Sequence, residues 1–472
     1  MFNKSININQ KNLLLSLYIM ILGVFVPAIY WIGNRNVTSI GNQQEQVNSV
    51  QQRISLGGKI LVTAINNEAK QAGVEAFASG DYLTALERFK SALSINPNDP
   101  EALIYLNNTL AAKTENFYEI AVSVPIGGNL NVAQEILRGV SQAQNEVNRE
   151  GGIDGKLIMV KIANDDNDPE IAVEIANKLV EDAGVIAVIG HSGSDASIAA
   201  APIYEENGLV MITPTSSAEV LSTMGDYIFR STPSTRDLAE TLAEYTVKTA
   251  GKKNISLCVD SEAEASKSFT ENFTWAVYNH GGKVIPVDCD LAAPDFLPTE
   301  VISQAVSRGS DALLIAPSVR KINKAMEIVA ANDDRLTLLG NHSMATYQTL
   351  QQGQQDANNM VLTVAWYSPD SENSFTQDAI QLWGGKVNWR SAMAYDATKT
   401  LSKAIAFGSN RQEIQQALAN PQFSAQGASS SISFLPTGDR NLRGTVIEVK
   451  PGKKSGTGYD FAPVNARSEE IE

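Results

Sequence analysis

Cysteine and histidine are scarce in this chain of 472 residues, with Cys258 and Cys289 the only cysteines and His191, His280 and His342 the only histidines. Two cysteines cannot build a four-cysteine zinc site or a disulfide scaffold. No two histidines stand at HxxxH spacing, so a histidine-rich metal site is not expected either. Basic residues are in deficit: 37 Lys and Arg against 52 Asp and Glu, a formal charge of −15. That balance disfavours the phosphate footprint through which nucleic acid is bound unspecifically. A Walker-type phosphate loop is missing, and Gly127-Gly128 lacks the further glycine of a dinucleotide fingerprint. No cofactor is expected. What is present is ordinary globular composition, 43% hydrophobic and 19% charged. At roughly 100–200 residues per domain, the length allows two to four domains.

One long apolar run opens the chain. Residues 13–32, LLLSLYIMILGVFVPAIYWI, contain no charge. At about 1.5 Å per residue they reach about 30 Å, enough for a bilayer core. Lys4 and Lys11 precede the run and only Arg35 follows closely. The positive-inside bias therefore puts residues 1–12 in the cytoplasm and the rest outside the plasma membrane. The expectation is an uncleaved single-pass anchor. The competing reading is a cleaved signal peptide, whose core is usually shorter and ends in small residues. Here Ile29-Tyr30-Trp31-Ile32 offers no such site.

Residues 36–65 read as a helical linker. In residues 66–114, Gly73, Gly80, Tyr82, Ala85, Phe89, Ala92 and Pro97 stand at the spacing of one tetratricopeptide repeat. Small residues permit a close helix crossing, and the aromatics fill the gap. A single repeat cannot bury its own apolar face, so this unit is expected to pack on a neighbour.

From residue 117 apolar strands alternate with helix-length segments: YEIAVSVPI, KLIMVKIAND, VIAVIG, LVMIT, ISLCVD, KVIPVDCD, ALLIAP and TLLG. This rhythm implies parallel sheets covered on both faces, enough for two doubly wound α/β lobes. Ligands of such folds sit beyond the C-terminal strand ends. The loops after Gly190, Thr213, Asp260, Pro317 and Gly340 are therefore the ones to inspect.

Four segments carry a specific likeness: VSVPIGGNLNVAQEILRGVSQAQNEVNREGGIDGKLIMV, VIAVIGHSGSDASIAAAPIYEENGLVMITPTSS, YIFRSTPST and AMAYDATKTLSKAI. In order and spacing they resemble the extracytoplasmic solute-binding proteins of branched-chain amino-acid (leucine/isoleucine/valine) ABC transporters. Joined to an anchor and a lone repeat, the chain is similar to membrane-attached receptors of cyanobacteria. The resemblance implies a two-lobed type I periplasmic-binding-protein fold over residues 117–462, hinged by three crossings. Lobe I would comprise 117–237 and 365–428, lobe II 238–364 and 429–462, and 463–472 an acidic tail. Asp439 in FLPTGD matches a turn near the last crossing. The implied function is binding of a small polar ligand, an amino acid or related carboxylate, for a permease. A signalling membrane partner, or a scaffold that binds nothing, are the alternatives.

By the same resemblance Ser194 holds the ligand carboxylate, the Thr215 carbonyl receives an ammonium and the Ser217 hydroxyl touches the same zwitterion. A helix beginning near Ser194 would add its free N–H groups and dipole. Read from the residues alone, Ser194 could be only an N-cap and Ser217 only a turn residue. The likeness fails at two points. An acidic residue that would neutralise the ammonium is replaced by His342, or by Asn341 or Ser343 on a shifted alignment. A tyrosine after ISLCVD is replaced by Ala265 or Glu264. Glu264 or Glu262 could restore the carboxylate; otherwise the ligand carries no ammonium. Trp366 and Arg320 are further candidates for the cleft.

No enzyme is expected. Gly190-His191-Ser192-Gly193-Ser194 approaches a nucleophile elbow but ends in serine, and no histidine follows His342. Cys258 and Cys289 fall on neighbouring strands and would be a disulfide in an oxidising compartment or two buried thiols.

Overall fold

The computed structural model describes residues 49–368, 374–428 and 430–464. The expected anchor at 13–32 and nearly all of the acidic tail lie outside the described residues. Among the described residues no helix is long and apolar enough to cross a membrane. A compact unit begins at Ile54.

Its first strand, β1 (Ile54–Ser55), is followed by helices α1 (Glu68–Ala78), α2 (Tyr82–Ile95) and α3 (Pro100–Thr114). The α1/α2 hairpin closes where Gly73 meets Phe89, since a Cβ at Gly73 would lie 2.9 Å from the ring. Phe89, Ala85 and Ala92 are completely buried, and burial of Phe89 alone is worth roughly 1.5–3 kcal/mol. Lys70 is also fully buried, paired to Asp99 and Glu101 at 2.8 Å each.

Lobe I follows with β2 (Phe117–Val124), α4 (Leu130–Arg149), β3 (Leu157–Asn164), α5 (Pro169–Glu181), β4 (Val185–Ile189), α6 (Ser194–Glu206), β5 (Val210–Thr213) and β6 (Ile228–Arg230). Its sheet has the order β1-β3-β2-β4-β5-β6, parallel except for β1. The linker expectation is corrected here: residues 54–65 are not helical. Ile54 and Ser55 pair with Ala163 and Ile162 on β3, and Gly57 takes a φ of 140° that side chains avoid. The unpaired β3 edge is what they satisfy. Asn108 of α3 extends that cover, accepting from the Val160 N–H at 2.8 Å and donating to its carbonyl at 2.7 Å.

Lobe II contains α7 (Thr235–Glu244), β7 (Asn254–Val259), α8 (Glu264–Asn279), β8 (Lys283–Val284), α9 (Pro298–Ser307), β9 (Ala312–Ala316), α10 (Ile322–Asn332), β10 (Thr337–Gly340), α11 (Tyr347–Gly353) and β11 (Val361–Val364). The chain then returns to lobe I through α12 (Ser374–Trp383), α13 (Trp389–Ile405), α14 (Arg411–Ala419) and the small pair β12 (Ala425–Gln426) and β13 (Ser431–Ile432). Strands β14 (Thr445–Pro451) and β15 (Tyr459–Pro463) complete the lobe II sheet, of order β15-β14-β11-β10-β9-β7-β8. KVIPVDCD, expected as a full strand, forms a continuous strand only at Lys283 and Val284, because Pro286 has no N–H to give the ladder; Asp290 then meets Val259 in a single bridge. Just beyond, Cys289 is joined to Cys258 by a disulfide, with Cα atoms 4.8 Å apart.

Three crossings link the lobes, and two buried arginines bind them together. Arg230, at the first crossing, donates from Nε to Asp439 at 2.6 Å. Arg440, at the last, donates to the Ser231 carbonyl at 3.0 Å and pairs with Asp396 of α13. Helix α13 itself lies so close to α4 that a Cβ at Gly139 would stand 2.1 Å from the Ser391 carbonyl.

Candidate functional site

In each sheet the strand order reverses once, between β2 and β4 in lobe I and between β7 and β9 in lobe II. Loops diverge there and leave a crevice. The two crevices face each other around a cavity of about 50 Å³. Ser194 and Thr215 line it from lobe I, Ala265 and His342 from lobe II, and Trp389 and Arg390 from the start of α13.

Ser194 is the first residue of α6, not its cap. The cap is Gly193, and no side chain closes the helix end. The N-terminal N–H groups of α6 therefore remain available beside the cavity, with the positive end of the dipole. Gly193 is required, because a Cβ there would lie 1.7 Å from Asn167 Oδ1. Ser194 Oγ accepts from the Ala218 N–H at 3.3 Å. Thr215 donates its hydroxyl proton to the Ser192 carbonyl at 2.7 Å. Ser217 Oγ lies 3.1 Å from His342 Nε2, across the gap between the lobes.

His342 is buried in a short turn after β10, its ring edge-on to Trp389 at 5.5 Å between centroids. Its Nδ1 has no hydrogen-bond partner. Burial, reinforced by the Arg390 charge, lowers its pKa to about 3. The imidazole is therefore neutral near pH 7 and cannot take up a proton there. A Ser217–His342 pair looks like part of a nucleophilic site, but a base of this kind needs a pKa near the operating pH. The arrangement does not supply one.

Arg390 is only 2% exposed. It donates from Nη1 to the Ala345 carbonyl at 2.9 Å and from Nη2 to the Ser343 carbonyl at 3.3 Å, both in lobe II. Its guanidinium lies 4.4 Å over the Trp389 ring. Burial lowers its pKa to about 10, so it is charged at neutral pH. Among the described residues no carboxylate forms an ion pair with it. It occupies the first turn of α13, where the helix dipole also is positive.

Several expected residues do not line the cavity, among them Ser217, whose hydroxyl meets the lining residue His342. The Glu264 side chain pairs with Lys267 at 2.7 Å, because Glu264 opens α8 and its carboxylate reaches along the helix surface to position i+3. Trp366 is buried against Phe375, 5.7 Å between centroids, inside the core at the second crossing. Glu262 pairs with Lys321 instead of facing the cleft. Arg320 donates to the Asn167 carbonyl from the other lobe. Asp195 does line the cavity, but its Oδ1 accepts from the Glu264 N–H at 3.0 Å, capping α8 across the gap. The residues missed by sequence reasoning are Trp389 and Arg390. They follow the cap Asn388 and are separated from the quoted segment AMAYDATKT by Ser391. The available signal was a cation at the wrong end of a helix.

The family model described as periplasmic binding protein matches residues 118–443. The chain belongs to the periplasmic binding protein family. That family consists of solute receptors rather than enzymes, and it implies an extracytoplasmic position for this domain. A Leu/Ile/Val-binding protein of Citrobacter freundii is 40% identical over 126 residues, covering 26% of this chain and 34% of that one. The Leu/Ile/Val-binding protein of Escherichia coli K12 is 33% identical over 162 residues, 34% and 43% of the two chains. The chain thus spans about a third to a half of these curated relatives. Among solved structures, a leucine-binding protein of Thermotoga maritima superposes with a TM-score of 0.64 at 21% identity, covering 73% of this chain and 97% of that one. A solute-binding protein of R. palustris in complex with 4-hydroxybenzoate gives 0.65 at 17% identity, covering 74% and 96%. These two likenesses establish the two-lobed fold.

Proposed function

We propose that this periplasmic binding protein is a solute receptor, tethered to the plasma membrane by residues 13–32, that captures a small carboxylate-bearing solute by hinge closure and delivers it to an ABC-type permease. One observation carries the reading. The open N-terminus of α6, with Ser194 as its first residue, faces a cavity whose opposite wall belongs to the other lobe. A ligand held there touches both lobes and so favours the closed state, by as much as its affinity for the two states differs. Asp195 with Glu264, Arg320 with Asn167 and Ser217 with His342 supply the contacts made on closure. The carboxylate would lie on α6 and Ser194, with Thr215, Ser217 and His342 around the remaining polar groups.

The buried Cys258–Cys289 disulfide fits an oxidising, extracytoplasmic compartment. Helices α1–α3, read as a single tetratricopeptide-like unit, serve as a spacer between anchor and lobe I. Asn108 is committed to β3, which leaves that face of α3 no role in holding a peptide.

A thermal-shift screen of the chain against amino acids, small carboxylates and other polar metabolites tests this reading. A ligand at a hundredfold excess over Kd adds about 2.7 kcal/mol to stability. The expected result is a shift that Ser194→Ala abolishes. A folded sample that no compound stabilises would refute it.

A further inference from the structure

We infer that the solute is an organic acid without an ammonium group, held by Arg390 together with the α6 N-terminus. This rests on the receptor reading and narrows its ligand class.

Arg390 brings a buried positive charge whose recorded acceptors are two carbonyls, those of Ser343 and Ala345. Carbonyls satisfy N–H groups but do not neutralise a guanidinium; Glu135 acts on it through space without forming an ion pair, and a buried charge that is not directly paired is costly. The N-termini of α6 and α13 add positive potential from two sides. Trp389 Nε1, in a side chain only 3% exposed, has no partner, and indole is a donor only. An anion rich in acceptors matches this set.

An ammonium finds no counterpart. It would need a free carboxylate, and among the described residues lining the cavity Asp195 is the acidic one. Its Oδ1 accepts from the Glu264 N–H at the start of α8, and its charge is shared with Lys267, three residues further along the same helix. His342 is the side chain that faces Ser217 across the gap, and its Nδ1 is unpartnered in a residue 4% exposed. A neutral ring nitrogen can serve a hydroxyl or carbonyl on the ligand. It is a poor partner for an ammonium placed close to a guanidinium. The ligand class is therefore a carboxylate whose second polar group is a hydroxyl or carbonyl, such as a 2-hydroxy, 2-oxo or aromatic hydroxy acid.

The test uses the full chain in detergent micelles and calorimetric titration with matched pairs. These are L-leucine against 4-methyl-2-oxopentanoate and L-phenylalanine against phenylpyruvate, with 4-hydroxybenzoate alongside. The expected result is that acids bind at least tenfold more tightly than their amino-acid partners. Arg390→Gln should lose at least tenfold for every acid, and His342→Glu should narrow or reverse the preference. Equal or tighter binding of the amino acids would overturn the inference and leave the receptor reading standing. No binding by any compound to a folded sample would overturn both. Unchanged acid affinity in Arg390→Gln would overturn the assignment of Arg390. Should that variant fail to fold, the wild-type comparison of matched pairs still decides the ligand class.

Discussion

His342 makes the protein sensitive to acid in a way that can be calculated. In the unfolded chain its imidazole titrates at an ordinary value of 6.5, and in the folded protein at about 3. Between those values the unfolded state binds a proton that the folded state refuses. Stability therefore falls as pH drops below about 6.5, and the loss grows until pH approaches 3. Between pH 7 and pH 5 the difference comes to about 2 kcal/mol from this residue alone. The cause is burial first and the Arg390 charge second, so the effect belongs to the binding cavity. Urea unfolding of the wild type and of His342→Gln at pH 7 and pH 5 isolates it, because the other groups titrate equally in both. The wild type should lose about 2 kcal/mol more than the variant over that interval. Parallel losses would mean that the imidazole takes up its proton freely in the folded state, and the neutral-ring argument for the site would fail.

The buried Lys70, Asp99 and Glu101 cluster should make Lys70→Met cost about 3–5 kcal/mol by leaving two carboxylates unpaired, detectable as early proteolysis of α1 and α2. Removing the Cys258–Cys289 bridge, whose partners are 31 residues apart, should cost roughly 3–4 kcal/mol on the loop-entropy scale, read as a lower Tm under reductant that a Cys258→Ala/Cys289→Ala variant does not show. Gly139→Ala should destabilise by about 1–3 kcal/mol through overpacking of α4 on α13, measured by chemical denaturation, since the nearest carbonyl oxygen stands 2.1 Å from the new Cβ.

Most of the architecture was legible because apolar strands of both lobes are buried on two faces and read as unbroken runs, such as Val185–Ile189 and Ala312–Ala316. Loop positions followed from the strands, and Ser194, Thr215 and His342 do line one cavity. Side-chain direction was not legible. Glu264 and Ala265 are adjacent in sequence, yet Ala265 lines the cavity and Glu264 pairs along its own helix. Trp366 reads as a cleft aromatic only until the second crossing turns it against Phe375. Pairing across long separations was equally hidden. Nothing local to Ile54 and Ser55 marks them as partners of β3, and Arg390 gains its meaning from lobe II carbonyls more than 40 residues upstream.

The charge at Arg390 also bears on how closure and specificity are joined. This side chain extends from a lobe I helix and donates to carbonyls of lobe II, so its burial depends on the lobes being together. Closure without a ligand encloses a guanidinium that Glu135 offsets through space but does not pair, which opposes the closed state. Closure around a carboxylate encloses a neutral pair with charge-assisted hydrogen bonds, the stronger kind. A neutral solute of the same shape leaves the penalty in place, and a zwitterion replaces it with an unpartnered ammonium. On this reading one residue sets the ligand's sign and the hinge equilibrium together, because a ligand shifts two states only by its differential interaction with them. Loss of the acid at position 342 and burial of a cation at position 390 act in the same direction, and the hinge transmits that preference as a population of closed receptors.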